Sequence, residues 1–265
     1  MRIPIFQIDA FTDALFAGNP AAVCPLDRWL DDRVLQAIAT ENNLAETAFF
    51  VARSGTMPAE YDLRWFTPAV EVDLCGHATL ASAWVLFHRA GRAGDEVIFH
   101  SKSGRLTVRR AGARLELDFP LSVGEACETT PALIEGLGAT PHQTYRARDW
   151  MVVFEREEEI RSLAPRMEVL ATTGARGVIA TAPGKGADYG FRFFAPGVGI
   201  PEDPGTGSAH CTLMPYWARR LGRTRLASRQ LSARGAAFAC ELRGERVGIA
   251  GQAVLFLAGT IELPA

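Results

Sequence analysis

Apolar and polar positions along the chain repeat in a fixed order, and the order occurs twice. In the first half, alternation predicts a strand near Ile3 to Ala10, followed by a helix of about Asp31 to Glu41 and an apolar strand from Thr47 to Ala52. The second half offers a strand near Trp150 to Phe154, a helix of about Glu158 to Ala171 and a strand from Gly177 to Thr181. Each half then supplies another strand, a central helix and a β meander. The first meander is Glu96 to His100, Arg105 to Arg110 and Arg114 to Asp118, and the second runs from about Leu226 to the end.

The central helices carry the most information. From Ala78 to Phe87 only Thr79 and Ser82 interrupt the apolar run, and a helix that is hydrophobic all round has to be enclosed. Strands wrapped around it would enclose it. The second central helix, Ser208 to Leu221, is less uniform. Pro215 removes one backbone hydrogen bond and predicts a kink, while Arg219 and Arg220 suit the negative end of the helix dipole.

An echo in the residues supports duplication. YDLRWFTPAVEVDLCGHAT, from Tyr61, and YGFRFFAPGVGIPEDPGTGS, from Tyr189, share five identities at an offset of 128: Tyr61/Tyr189, Arg64/Arg192, Phe66/Phe194, Pro68/Pro196 and Val70/Val198. With one inserted residue, Cys75-Gly76-His77 lies opposite Pro204-Gly205-Thr206, and both stretches run on into helices. The expected fold class is α+β, built from two copies of one unit. The halves are residues 1–120, joined by a C-terminal strand of about 255–265, and 121–254.

Composition narrows the function classes. Of 265 residues, 48% are hydrophobic and 22% charged, as in an ordinary globular protein rather than a disordered chain. The formal net charge of −2, with charges of both signs scattered, gives no field to gather nucleic acid or an anionic lipid surface. The N-terminus has no secretion-signal pattern, and no stretch reaches the ~18 apolar residues of a membrane span, so a cytoplasmic location is expected. Five cysteines, far apart and without a Cys-x-x-Cys pair, read as reduced thiols. No metal site is expected from that spacing.

The chemistry gathers at the helix starts. A helix N-terminus offers unpaired N–H groups and about half a positive charge, a seat for a carboxylate. Gly76, Gly205 and Gly207 let a ligand approach the backbone, and Thr206 and Ser208 add hydroxyls. The plain alternative is that these residues only cap their helices. Two duplicated halves that meet at a cleft would aim both helix starts at a small anion.

Four ordered blocks, DAFTDALFAGNPAAV (Asp9 to Val23), ENNLAETAFF (Glu41 to Phe50), FTPAVEVDLCGHATLA (Phe66 to Ala81) and EDPGTGSAHC (Glu202 to Cys211), resemble the PhzF-like phenazine biosynthesis family. The resemblance implies a diaminopimelate epimerase-like fold of two pseudo-symmetric domains, each a β barrel around a central helix, with the active site between them. It also implies a homodimeric, cofactor-independent isomerase. In the phenazine-pathway member a glutamate moves a proton within a cyclic dihydro-hydroxyanthranilate.

Carried onto this chain, the catalytic glutamate is Glu46, with His77 and Asp203 as polar groups beside the substrate. Gly76, Gly207 and Ser208 match the positions that bind the substrate carboxylate. Thr206, Asn19 and Asn43 are further candidates at the cleft. The residues agree with the role: partial burial of Glu46 at a strand start would raise its pKa and suit it to accept and return a proton. Read alone, Glu46 could equally be an edge-strand solubiliser, His77 a structural histidine and Asp203 a loop residue.

Cys75 stands where related amino-acid epimerases carry the first of two cysteines, but its counterpart is Pro204, which carries no proton. The resemblance implies an acidic residue in the phenazine-making members where Cys75 stands, a departure that leaves open whether this chain shares their particular substrate. Three functions follow: an isomerase acting on a small carboxylate through Glu46, a non-catalytic carboxylate-binding protein of the same fold, or a Cys75-dependent racemase.

Overall fold

The computed structural model of the chain describes residues 1–56 and 59–264. The chain divides into a first unit, Met1–Asp118 with Ala250–Ala265, and a second unit, Phe119–Ile249.

In the first unit the strand Arg2–Ala10 pairs antiparallel with both Asn19–Leu26 and the returning strand Ala253–Glu262. Asn19–Leu26 runs parallel to Glu46–Ala52, which is antiparallel to Tyr61–Phe66. Tyr61–Phe66 in turn runs parallel to Glu96–Ser101, and the meander continues through Gly104–Ala111 and Arg114–Pro120. The second unit repeats that alternation. Gln143–Arg146 is antiparallel to Trp150–Val153, which runs parallel to Val178–Pro183. Val178–Pro183 is antiparallel to Tyr189–Ala195, and Tyr189–Ala195 runs parallel to Arg225–Gln230.

Pairing corrects the assignment of equivalent strands. Trp150–Val153 corresponds to Asn19–Leu26, not to the strand near Ile3, because each is the parallel partner of the strand that follows. Asn19–Leu26 was hidden by its own composition: Pro20, Pro25 and two alanines are depleted in strands. The predicted helix over Glu158 to Ala171 is broken into Glu157–Arg161, Met167–Leu170 and a 3-10 turn, Ala171–Thr173. Pro165 is the physical cause, since it disfavours helical backbone at the residue before it and donates no N–H.

The first central helix, Gly76–His88, contacts the strands Arg2–Ala10, Asn19–Leu26, Glu46–Ala52, Gly104–Ala111 and Ala253–Glu262. Its residues from His77 to Phe87, Trp84 excepted, are buried. The two hydroxyls in the apolar run do not disturb this enclosure. Thr79 donates to the Cys75 carbonyl at 2.6 Å and Ser82 to the Ala78 carbonyl at 2.8 Å, so each finds an acceptor one turn back in its own helix.

The second central helix starts as a 3-10 turn, Gly207–Ala209, and continues as His210–Leu221. Pro215 lies inside it and leaves the Cys211 carbonyl without its helical donor. The Ser122 N–H takes that carbonyl at 3.0 Å. Trp217 anchors the helix: its ring stacks on Tyr189 at 5.4 Å and its N–H donates to Thr181 at 3.0 Å. Among the described residues no helix is long and apolar enough to cross a membrane.

A second apolar layer covers the outer face of each sheet. In the first unit Phe49, Phe66, Cys24 and Ile3 pack against Leu35, Ile38 and Ala39 of the helix Asp32–Asn42. Fully burying each large side chain contributes about 1.5–3 kcal/mol. In the second unit Val152, Val178 and Phe194 pack on Leu133, Leu137, Ile160 and Leu170.

The repeated arginines belong to this scaffold. Arg64 holds Glu71 through two hydrogen bonds of 2.8 and 3.0 Å and pulls its carboxyl down to about 2. Arg192 holds Glu202 likewise, at 2.8 Å twice. The paired residues are seven apart in the first unit and ten in the second, so three residues are inserted in the second hairpin rather than one. The extra residues fall between Val198 and Glu202, because Pro196 and Val198 still match Pro68 and Val70 at the offset of 128.

Candidate active site

Glu46 opens the strand Glu46–Ala52, three residues beyond Asn43, the left-handed cap of the preceding helix. Asn42 donates to Thr47 on the outer face, which fixes where the strand begins. By alternation Glu46 then points to the inner face, with Ala48 and Phe50. There its Oε2 lies 3.3 Å from His77 Nε2, with both side chains largely buried.

His77 is in the first turn of the enclosed helix, one residue after Gly76, and Cys75 is the N-cap residue. The Asn19 amide donates to His77 Nδ1 at 3.2 Å, and the Cys75 thiol faces the same nitrogen at 3.4 Å. A nitrogen that accepts from an amide carries no proton, so in the neutral ring the proton sits on Nε2, toward Glu46. Asn19, Cys75, His77 and Glu46 therefore form one continuous cluster. Oxygen, sulfur and nitrogen donors of Glu46, Cys75 and His77 all lie within 4.8 Å of one another, a grouping of possible metal ligands that their spacing in the sequence does not reveal.

In the second unit Asp203, Thr206, Gly207 and Ser208 also gather, around groups absent from the sequence expectation. The Thr206 hydroxyl donates to Asp203. Gln230, buried at the end of the strand Arg225–Gln230, accepts from the Thr206 N–H and donates to the Asp203 carbonyl. Arg176 is held by the buried Asp149 through bonds of 3.0 and 2.6 Å and reaches Ser208 Oγ at 3.4 Å. Burial works against the guanidinium charge, but Asp149 outweighs it and raises the Arg176 pKa.

Neither helix start carries a side-chain cap. Cys75 and Thr206 make no capping hydrogen bond, so the capping alternative fails at both N-cap positions. Asn43 caps its helix in the left-handed conformation, its N–H bonded to the Ala39 carbonyl. His210 is sealed among Tyr189, Phe191, Phe238 and Ser228, and burial pushes its pKa down to about 3. Cys211 is likewise a packing residue, its thiol raised to about 11 by burial.

Sequence reasoning missed Gln230, Arg176, Asp149 and Trp65. Gln230 had a signal, because alternation along Leu226, Ser228 and Gln230 turns a polar residue inward. Trp65 also faces inward, paired with Ala48, and its buried indole N–H has no hydrogen-bond partner among the described residues. Asp149 and Arg176 sit outside regular elements and gave no pattern to read.

Architecture of this kind defines an epimerase-like isomerase fold. A hydroxyproline epimerase from Agrobacterium vitis, with trans-4-hydroxy-L-proline bound, has the same fold at a TM-score of 0.64 and 10% identity, over 98% of this chain and 92% of that one. The chain belongs to the phenazine biosynthesis-like protein family, whose model matches residues 8–259. It is similar to an uncharacterized isomerase of Pseudomonas aeruginosa, 52% identical over 99% of this chain and all of the relative. A crystal structure of an Enterococcus faecalis PhzF family protein superposes at a TM-score of 0.96 with 43% identity, over 99% of this chain and all of that one. Isomerase is thus the enzyme class of this protein.

Proposed function

We propose that this isomerase shifts a proton within a small carboxylic acid, with Glu46 as the group that takes it from one carbon and returns it to another. The observation that carries the reading is the 3.3 Å approach of Glu46 Oε2 to His77 Nε2, with the Asn19 amide 3.2 Å from the other ring nitrogen. The Nε2–H steadies the carboxylate. The Glu46 carboxylate then removes a substrate C–H proton, the bonding pair moves into a new C=C bond, and the pair of the old double bond takes the proton back at a different carbon. Protons and electrons balance without a cofactor.

The N–H groups of Gly207 and Ser208, at a helix start where such donors lack helical partners, suit a carboxylate, and Arg176 beside Ser208 adds positive charge. Gly76 offers the same backbone access in the first unit. Asp203, oriented by Thr206 and Gln230, suits a hydroxyl or amine of the substrate. Homodimerisation and a cytoplasmic setting belong to the same reading.

The test is proton exchange. Incubation with a panel of cyclic and acyclic small carboxylic acids in deuterated water should give deuterium incorporation that falls about 100-fold or more in Glu46→Gln. Unchanged incorporation in that variant removes Glu46 from the mechanism. A second reading, with Cys75 as proton carrier, is favoured by its 3.4 Å contact with His77 Nδ1. It requires instead that Cys75→Ser abolish exchange while Glu46→Gln retains it.

A further inference from the structure

Trp84 is the one half-exposed residue in the buried run of the first central helix, and it lines a cavity of about 330 Å³ within the first unit. His88, the last residue of that helix, lines it too, so the cavity stands about 18 Å along the helix axis from Gly76. Its size is at the lower end of ligand pockets, enough for one small ring-bearing molecule. His88 braces the indole: its ring stacks on Trp84 with centroids 4.5 Å apart and planes at 20°, and its Nδ1–H donates to the Trp84 carbonyl at 2.9 Å. An aromatic side chain held in this way is a preorganised wall.

Charges of both signs line the same cavity. Arg110 is pinned at the helix end, its guanidinium 4.3 Å from the Phe87 ring centroid and one N–H on the Phe87 carbonyl at 3.3 Å. Arg114 and Asp13 are exposed, and among the described residues the side chain of neither makes a hydrogen bond or an ion pair. Arg109, on the same strand as Arg110, is by contrast taken by Glu96 at 2.6 Å. Opposite charges that share a cavity without pairing suit a ligand that carries both. Two guanidiniums against one carboxylate suit a ligand carboxylate, which an arginine fork meets with paired N–H donors.

We propose that this cavity binds a free aromatic α-amino acid, its carboxylate at Arg110 and Arg114, its ammonium at Asp13 and its ring against Trp84. Binding is reversible and involves no covalent step. None of Asn19, Glu46, Cys75 and His77 lines the cavity, so the site stands whether or not Glu46 is the proton carrier.

Calorimetric titration of the full chain with L-phenylalanine and L-tryptophan tests it. Each should bind saturably at one equivalent. Two probes dissect the recognition: 3-phenylpropionate lacks the ammonium and phenethylamine lacks the carboxylate, and each should bind about tenfold or more weakly than phenylalanine. Asp13→Asn should close the gap between phenylalanine and 3-phenylpropionate, and Arg114→Gln the gap between phenylalanine and phenethylamine. Both substitutions are at exposed positions, and thermal unfolding at the parent's midpoint separates lost binding from lost folding. Glu46→Gln should bind phenylalanine as the parent does. The proposal is overturned by absence of saturable binding at millimolar concentration, by equal affinity for phenylalanine and 3-phenylpropionate, or by affinities unchanged in Asp13→Asn and Arg114→Gln. Loss of binding in Glu46→Gln also overturns it, because the amino acid would then sit at the start of the helix.

Discussion

The starts of the two central helices, one in each unit, are built from different kinds of side chain. In the first unit Cys75, His77, Asn19 and Glu46 stand in mutual contact, a thiol, an imidazole, an amide and a carboxyl group. In the second, Thr206, Gln230 and Asp203 lock one another through hydrogen bonds, and a fixed Arg176–Asp149 pair stands beside Ser208. The histidines make the contrast sharper. His77 is buried against titratable neighbours, whereas His210 is buried among aromatic rings that hold it neutral. Burial by itself therefore says little about a histidine's role; the polar partners inside the burial decide it.

The largest break should come at the second helix start. Asp149→Ala strands the Arg176 charge in a largely buried place and should cost about 3 kcal/mol in denaturant unfolding. If it costs less than 1 kcal/mol, water already reaches the guanidinium and the fixed pair is no anchor. At the first start, His77→Asn should slow deuterium exchange about 100-fold while changing unfolding free energy less than Asp149→Ala does. An equal loss of stability would make His77 a packing residue like His210.

A pH series then sharpens the contrast. The His210 pKa falls from 6.5 to about 3 on folding, so its stabilisation is complete above pH 6.5 and is lost as pH falls toward 3. Each pH unit in that window costs at most about 1.4 kcal/mol. His210→Phe should flatten the stability profile there; a profile unchanged in slope would mean that water reaches the buried ring. The smallest effect is expected at Ser82→Ala, within about 0.5 kcal/mol by thermal unfolding, because the hydroxyl bonds only to a carbonyl in its own helix.

How much was legible depended on whether the signal was local. The enclosed helix announced itself through an apolar run that no surface helix can carry, and the structure buries it from His77 to Phe87 with Trp84 half-exposed. The helix Asp32–Asn42 likewise appeared where periodicity placed it, and the structure shows Asp31 as its N-cap. The strand Asn19–Leu26 did not, since prolines and alanines mask a strand whose stability comes from its neighbours. The helix Pro131–Leu137 had its Thr130 cap and its Gly138 terminator in plain sight, yet seven residues are too few for periodicity to stand out. In the echo, the repeated Arg64 and Arg192 record the ion pairs that brace each hairpin.

By itself, the sequence determined the α+β plan, the enclosed helix and the residue types gathered at each helix start, because periodicity and spacing are local properties of a chain. Only the tertiary structure decided that Asn19, Glu46 and His77, far apart in sequence, share one polar cluster, and that Arg176 and Asp149 stand beside Ser208. Hydrogen bonds and charge pairs between distant residues depend on where strands pair and helices pack, and no window of sequence contains that information.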